Sequence, residues 1–291
     1  MGTEEPAGME RRWARRSFER AAASYDAAAV LQPEIGQRML ERLNYIKLAP
    51  SRIVDAGCGT GKLTRQLRAR YPAAMTVALD WALGMLRQSR RREPWWKRWR
   101  PGSGLAHVCA DMERLPLQAE CADLLWSNLA LPWCNDPERV FAEACRVLRP
   151  GGLLLFSSFG PDTLRELRAA FAADRRIHVH AFVDMHDLGD MLVKQGFADP
   201  VMDMEMITVT YAALPDLLRD LKAAGAHNIA QGRRRGLTGR AVLEAATRAY
   251  ETFRRDGRLP ASCEVIYGHA WKPRLTGVSG KVIPIRAAGA D

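Results

Sequence analysis

A chain of 291 residues with 47% apolar composition can bury a substantial core, which excludes a disordered or collagen-like polymer. Its 43 Lys and Arg against 33 Asp and Glu give a formal charge of +10, so an anionic partner or substrate is expected, with nucleic acid, acidic protein and membrane surface all eligible. No apolar run approaches the roughly 18 residues of a membrane-spanning helix, and a soluble protein is expected.

Residues 1–20 are Arg-rich but lack an apolar signal core and contain Glu4, Glu5, Glu10 and Glu19, so no cleaved export signal is expected and the setting is a reducing cytoplasm. Leu31, Ile35, Met39, Leu40 and Leu43 then mark one helical face in the segment before Ser51, a segment expected to pack beside a lid that comes later in the chain. From about Arg52 to Gly160, strand-like runs alternate with helical ones, the pattern of an α/β fold with a parallel sheet. The strands are read at Arg52–Ala56, Met75–Asp80, Leu105–Asp111, Ala122–Ser127 and Gly151–Ser158, each apolar enough for burial on both faces. A helix starts at Asp136-Pro137, where Asp can cap free amides and Pro suits the first turn, and ends before Pro150-Gly151. Its apolar face is Val140, Phe141, Ala144, Val147 and Leu148.

A helical pattern at Asp184–Gln195 leads into alternating residues from Val201 to Tyr211, and a last strand is read at Glu264–Trp271. Between them, Leu214–Lys222 and Thr238–Phe253 carry helical periodicity across an Arg233-Arg234-Arg235 turn, read as an inserted lid. The division expected is a helical arm at 1–50, an α/β core at 51–211, the lid at 212–260, and a final strand with tail at 261–291. The six cysteines form no CxxC pair and read as small buried hydrophobes, which excludes a zinc ribbon and a disulfide scaffold. His178, His180 and His186 lack accompanying ligands, and His178 and His180 would face opposite ways if extended, so no metal is expected.

The sharpest motif is Ile53-Val54-Asp55-Ala56-Gly57-Cys58-Gly59-Thr60-Gly61, a strand running into glycines and then a helix. Glycines there permit a tight turn and let backbone approach a ligand where a Cβ would collide. A dinucleotide fingerprint would put its third glycine at Lys62, whereas here it falls at Gly61. That spacing is similar to the variant that binds S-adenosylmethionine, with Asp55 ending the strand and the loop facing the amino-acid moiety. Asp80, 19 residues after Gly61 at the next strand end, can accept from both ribose hydroxyls. Asp111 closes the third strand, placed to accept from an adenine amino group while Met112 lies against the ring.

With these residues and the Arg146-Val147-Leu148-Arg149-Pro150-Gly151-Gly152 turn, the chain resembles class I S-adenosylmethionine-dependent methyltransferases. The resemblance implies a Rossmann-like, mostly parallel seven-stranded sheet with helices on both faces, and cofactor contacts from Asp55, Gly57, Gly59, Gly61, Asp80, Trp81, Asp111, Met112 and Asn128. A narrower set of matches runs nearly end to end: Arg20 to Asp26 with Leu31-Gln32, Trp126 to Ala130 with Trp133-Cys134, Leu221-Lys222 with Gly225-Ala226, and Leu259-Pro260. These resemble the malonyl-acyl-carrier-protein O-methyltransferases of biotin synthesis. The implied acceptor, a malonyl carboxylate, is already ionised at neutral pH and needs no general base. It needs donors, for which Tyr25, Asn128 and a cation among Arg20, Arg165 and Lys222 are the candidates.

The implied partner is an acidic acyl carrier protein, expected to dock on Arg233 to Arg235 or on the Arg90 to Arg100 stretch. That stretch belongs to Arg87–Arg100, where seven cations interleave with Trp95, Trp96 and Trp99. The same interleaving keeps a nucleic-acid methyltransferase as an alternative. Against it, the position after the fourth strand reads Ser127-Asn128-Leu129-Ala130-Leu131-Pro132, not an Asn-Pro-Pro-Tyr-like motif for amine acceptors. A third reading is a cofactor-binding assembly factor similar to those of mitochondrial complex I, which share the Gly160 to Arg168 and lid patterns.

Overall fold

Strands β1 (Arg52–Ala56), β2 (Met75–Asp80), β3 (Leu105–Cys109), β4 (Ala122–Asn128) and β5 (Leu148–Phe159) pair in parallel, because each is separated from the next by a crossover long enough to return the chain to the same edge. The structure, a computed structural model, describes residues 10–93, 104–174, 177–226 and 239–274. Two long antiparallel strands complete the sheet, β6 (Ala198–Tyr211) and β7 (Leu259–Trp271), in the order β3-β2-β1-β4-β5-β7-β6. The fold is the Rossmann-like α/β architecture, a mostly parallel seven-stranded sheet.

Alternate residues along each strand face opposite sides, and the apolar runs feed two cores. On one side Val54, Leu125 and Leu154 pack with α6 (Pro137–Val147) and α8 (Met185–Lys194) through Phe141, Val140 and Leu188. On the other, Ile53, Leu124 and Leu155 meet Ile35 and Met39 of α3 (Leu31–Arg42) and Leu67 of α4 (Lys62–Arg70). Asp136 caps α6 as expected, accepting from the Arg139 amide at 2.9 Å, and Val140, Phe141, Ala144 and Val147 are buried; the fifth expected member of that face, Leu148, is buried too but has left the helix in extended backbone and opens β5.

Of the segment before Ser51, helix α3 turns its apolar face to the sheet. The expected packing beside the lid is made by α1 (Arg11–Ala21): Ser17 Oγ donates to Gly225 O at 3.1 Å, and Phe18 packs against Gly225. The short α2 (Tyr25–Ala28) follows, and α5 (Leu83–Arg91) lies alongside α1. The lid helices α9 (Leu214–Ala223) and α10 (Arg240–Glu251) share a third cluster with α7 (Arg165–Ala170) and the start of β7 through Leu167, Leu217, Tyr250 and Leu259. The Arg233 to Arg235 turn and residues 94–103 lie outside the described residues.

The last strand begins at Leu259, five residues before the expected Glu264. Pro260 lacks an N–H, but residues 259–263 pair only with β6, and pairing with β5 starts at Val265. The cysteines are all free thiols, yet only Cys58 and Cys263 are fully buried, and Cys109 is exposed. Among the described residues no helix is long and apolar enough to cross a membrane.

Candidate active site

The sheet order reverses between β1 and β4, and a crevice opens beyond their carboxyl ends, where ligands bind in open α/β sheets. It is a cavity of about 530 Å³ floored by the Gly57 to Thr60 loop, Asp80, Asp111 and Asn128. The arm forms one wall through Phe18, Tyr25 and Gln32, and the lid another through Leu217, Leu221 and Lys222.

The glycine loop is folded by its own backbone. Gly57 N and Cys58 N both donate to Leu79 O, at 2.8 and 2.9 Å, which bends the chain over β2 and sets Gly59 N at 2.9 Å from Asp80 Oδ2. All three glycines have positive φ (81°, 54° and 73°), but a Cβ would meet different things at each. At Gly57 it would overlap the Ala130 methyl, and at Gly61 the Ser89 hydroxyl, so these two glycines answer protein packing. At Gly59 it would meet no atom within 4 Å. The ligand clearance that the motif suggested for the whole loop therefore belongs to Gly59.

Asp80 is buried and accepts one backbone bond on each oxygen, from Ala82 N at 2.8 Å on Oδ1 and from Gly59 N on Oδ2. Burial pushes its pKa up to about 6 although both hydrogen bonds pull it down. A carboxylate has acceptor capacity for about four bonds, so each oxygen keeps one site, a match to two vicinal hydroxyls. Asp55 is pushed up to about 7 by burial, opposed by Thr64 Oγ1, which donates to it at 2.5 Å, and reinforced by the charge of Asp80. Asp111 borders the cavity with its Oδ1 accepting from Glu113 N at 3.0 Å and its Oδ2 paired to Arg11. Arg11 also spans Glu113 and lies over the Trp81 ring at 5.6 Å, so α1 is clamped to the third strand end. Trp81 and the buried Met112 line the same region.

The five acceptor candidates divide. Tyr25, Asn128 and Lys222 line the cavity. Arg20 is exposed on α1 and does not. Arg165 is exposed at the start of α7, within 3.8 Å of Asp162 and 3.5 Å of Glu166, and likewise stands outside the lining. Asn128 is engaged at both ends of its amide: Nδ2 donates to Gln32 O at 3.0 Å, and Oδ1 accepts from Ser157 Oγ at 2.9 Å. It ties the arm to the sheet. The Tyr25 hydroxyl has no hydrogen-bond partner among the described residues, and burial, with the charges of Asp80 and Asp26, raises its pKa far above the ordinary value. At neutral pH the hydroxyl keeps its proton and can donate it in a hydrogen bond. Asp26 accepts from Thr60 Oγ1 at 2.5 Å and pairs with Arg92, a second tie between arm and loop.

The chain bends at residues 178 and 179 in place of an extended run, and both His178 and His180 line the cavity. His178 stacks on Phe171 at 4.0 Å and hydrogen-bonds Asp174 at 3.0 Å. His180 packs between Trp133 and Phe182, its Nε2 is buried without a partner, and burial lowers its pKa to about 4, so it is neutral at pH 7. Among the described residues no cluster of three or more His, Cys, Asp or Glu could hold a metal.

Residues 54–156 match the family model of a methyltransferase domain. The chain is 55% identical over 266 residues to a malonyl-[acyl-carrier protein] O-methyltransferase of Gallionella capsiferriformans, covering 91% of this chain and 92% of the relative. It is 54% identical over 261 residues to one named likewise from a Methylovorus species, covering 89% and 88%. Among solved structures, Haemonchus contortus phosphoethanolamine N-methyltransferase 2 in complex with S-adenosyl-L-methionine superposes with a TM-score of 0.54 at 14% identity, over 88% of this chain and 57% of that one, a likeness of fold.

Proposed function

We propose, from the premise that the chain belongs to the malonyl-[acyl-carrier protein] O-methyltransferase family, that it methylates the free carboxylate of a malonyl thioester borne by an acyl carrier protein, with S-adenosylmethionine as donor. The product, a malonyl methyl ester, is the early step of biotin synthesis that the resemblance implies. The observation that carries the reading is the floor of the cavity, where Gly59 leaves open space and Asp80 keeps one acceptor site on each oxygen.

Those residues fit the cofactor. Asp80 would hold its ribose hydroxyls, the Gly57 to Gly61 backbone with Asp55 its amino-acid end, and Asp111 its adenine amino group, between Trp81 and Met112. When bound there, S-adenosylmethionine supplies a methyl carbon made electrophilic by a sulfonium. The chain's own task is to bring a carboxylate oxygen in line with that carbon, about 3 to 3.5 Å away, and to keep water out.

A malonyl carboxylate is ionised at pH 7 and needs no proton removed. It does need hydrogen-bond donors, because an unpaired charge in an apolar cavity is costly. Tyr25 and Lys222 are proposed as those donors, one from the arm and one from the lid. Tyr25 suits the role because its raised pKa keeps the hydroxyl proton in place. Asn128 is proposed to act through position, holding Gln32 and with it the arm over the cavity. The neutral His180 and the aromatic rings around it make an apolar wall that favours the loss of acceptor charge on esterification.

Methyl transfer from labelled cofactor to malonyl-carrier protein, with succinyl-carrier protein and tRNA alongside, tests the reading. Label on the malonyl thioester is expected; label on tRNA alone would replace the reading with a nucleic-acid methyltransferase.

A further inference from the structure

Helix α1, RRWARRSFERA, carries five arginines and one acid in eleven residues. Its buried face is made of small side chains, Ala14, Ser17 and Ala21, which seat the helix close to Trp81 and Trp133 on one side and to Gly225 on the other. Arg12, Arg16 and Arg20 follow at four-residue steps on the opposite side, a stripe about 12 Å long at ~1.5 Å per residue, with Arg15 beside it. All four are exposed. The helix's one acid, Glu19, is turned away to accept from Gly84 N of α5 at 2.6 Å. Through that contact α5 lies alongside and adds the exposed Arg87 and Arg90.

These six guanidinium groups form no ion pair among the described residues, whereas Arg11 and Arg92, their neighbours in the sequence, are both paired to acids. Like charges at four-residue spacing destabilise a helix by a few tenths of a kcal/mol per pair. A stripe that costs the fold stability and is not neutralised within it points outward, to an anionic partner. Two apolar side chains stand among the arginines, Trp13 at 44% exposure and Leu83 at 40%. Charge interspersed with exposed apolar surface matches a protein contact, with its apolar centre and polar rim, better than a track of phosphates. The surface also lies on the outer side of the cavity wall: α1 contributes Phe18 to the lining and α5 contributes Met85.

We propose that the arginine face of α1, extended by Arg87 and Arg90 of α5, is the docking surface for the acidic carrier protein. The proposal rests on the reading of the acceptor as a carrier-bound malonyl thioester, and it centres the docking site on α1, keeping only Arg90 of the two basic runs expected to carry it.

The test is the triple variant Arg12→Glu, Arg16→Glu, Arg87→Glu, assayed on malonyl-carrier protein and on malonyl-pantetheine, which has the same reacting end without the protein. The expected result is a loss of about tenfold or more in kcat/KM for the carrier substrate, with malonyl-pantetheine changed by less than about twofold. Added salt should slow the native protein on the carrier substrate and affect the variant little. The activity on malonyl-pantetheine reports that the variant is folded. Equal losses on both substrates, or no loss on the carrier, would overturn the docking assignment. Loss of tRNA labelling in place of carrier methylation would make the stripe a nucleic-acid surface and overturn it too. A native protein that methylates neither thioester overturns the reading of the acceptor instead.

Discussion

The division of labour among the three loop glycines makes Gly59→Ala a sharp probe of the cofactor site. At φ 54° the new alanine sits in the left-handed region, which costs a non-glycine residue about 1–2 kcal/mol, partly offset by about 0.4–1 kcal/mol from the stiffer unfolded chain. Its methyl meets no protein atom within 4 Å, so no packing term is added. The net destabilisation is about 1 kcal/mol, a fall of roughly 2–4 °C in Tm for a chain of this size. Gly57→Ala carries a comparable backbone cost at φ 81° and in addition overlaps the Ala130 methyl; forcing that contact apart adds about 1–3 kcal/mol. Thermal unfolding by circular dichroism, without ligand, should therefore rank the native protein above Gly59→Ala and Gly59→Ala above Gly57→Ala. Calorimetric titration with S-adenosylmethionine should find that the well-folded Gly59→Ala has lost at least tenfold in affinity. Gly59→Ala that binds the cofactor like the native protein would refute the assignment of that open space to the ligand.

Cofactor affinity should fall by up to ~tenfold per unit as the pH drops below about 6, because Asp80 must be ionised to accept two hydroxyls and burial has raised its pKa to about 6. The fold itself does not lose stability through that group: its folded pKa lies above the unfolded value of about 3.9, so its contribution is full below about 3.9 and is lost as the pH rises through about 6. His180 works the other way, contributing above about 6.5 and losing that contribution as the pH falls toward about 4, so titrations at each pH should be paired with circular dichroism. Tyr25→Phe removes a hydrogen bond to a charged acceptor, about 1.5–3 kcal/mol, and should lower kcat/KM for the malonyl substrate by about 10- to 150-fold while calorimetry finds cofactor affinity nearly unchanged; unaltered kinetics would remove Tyr25 from the site. Asn128→Ala deprives Gln32 O of its donor and the Ser157 hydroxyl of its acceptor, which should cost about 1–3 kcal/mol and open the arm to limited proteolysis; an arm as resistant as in the native protein would contradict its role as a tie.

The elements that carry strong periodicity, or caps with one physical meaning, are legible in the sequence. Asp136-Pro137 opens a helix because it satisfies amides and presets φ, and Asp80 ends its strand at the carboxyl side of the sheet, where open α/β folds bind ligands. What the sequence did not convey depends on distant partners. The buried side of α1 is Ala14, Ser17 and Ala21, too small to stand out as an apolar stripe, and its arginines obscured it as an element that builds the cavity wall. The packing demands on Gly57 and Gly61 come from Ala130 and Ser89, remote in the chain, so the motif alone does not tell them from the open space at Gly59. Arg20 and Arg165 had the right chemistry for a carboxylate, but which way a helix turns its cations is decided by the face that it buries. Asn128 entered through the resemblance and as a candidate donor to a carboxylate, and its partners Gln32 and Ser157 are brought to it only by the fold.

The central claim concerns where the methyl group goes. Mass spectrometry of malonyl-carrier protein after incubation with S-adenosylmethionine and this protein should show the added methyl on the ejected phosphopantetheine fragment, as an ester of the malonyl terminus. A methyl on the carrier polypeptide, or a thioester recovered unmodified while the cofactor is bound, would contradict the account.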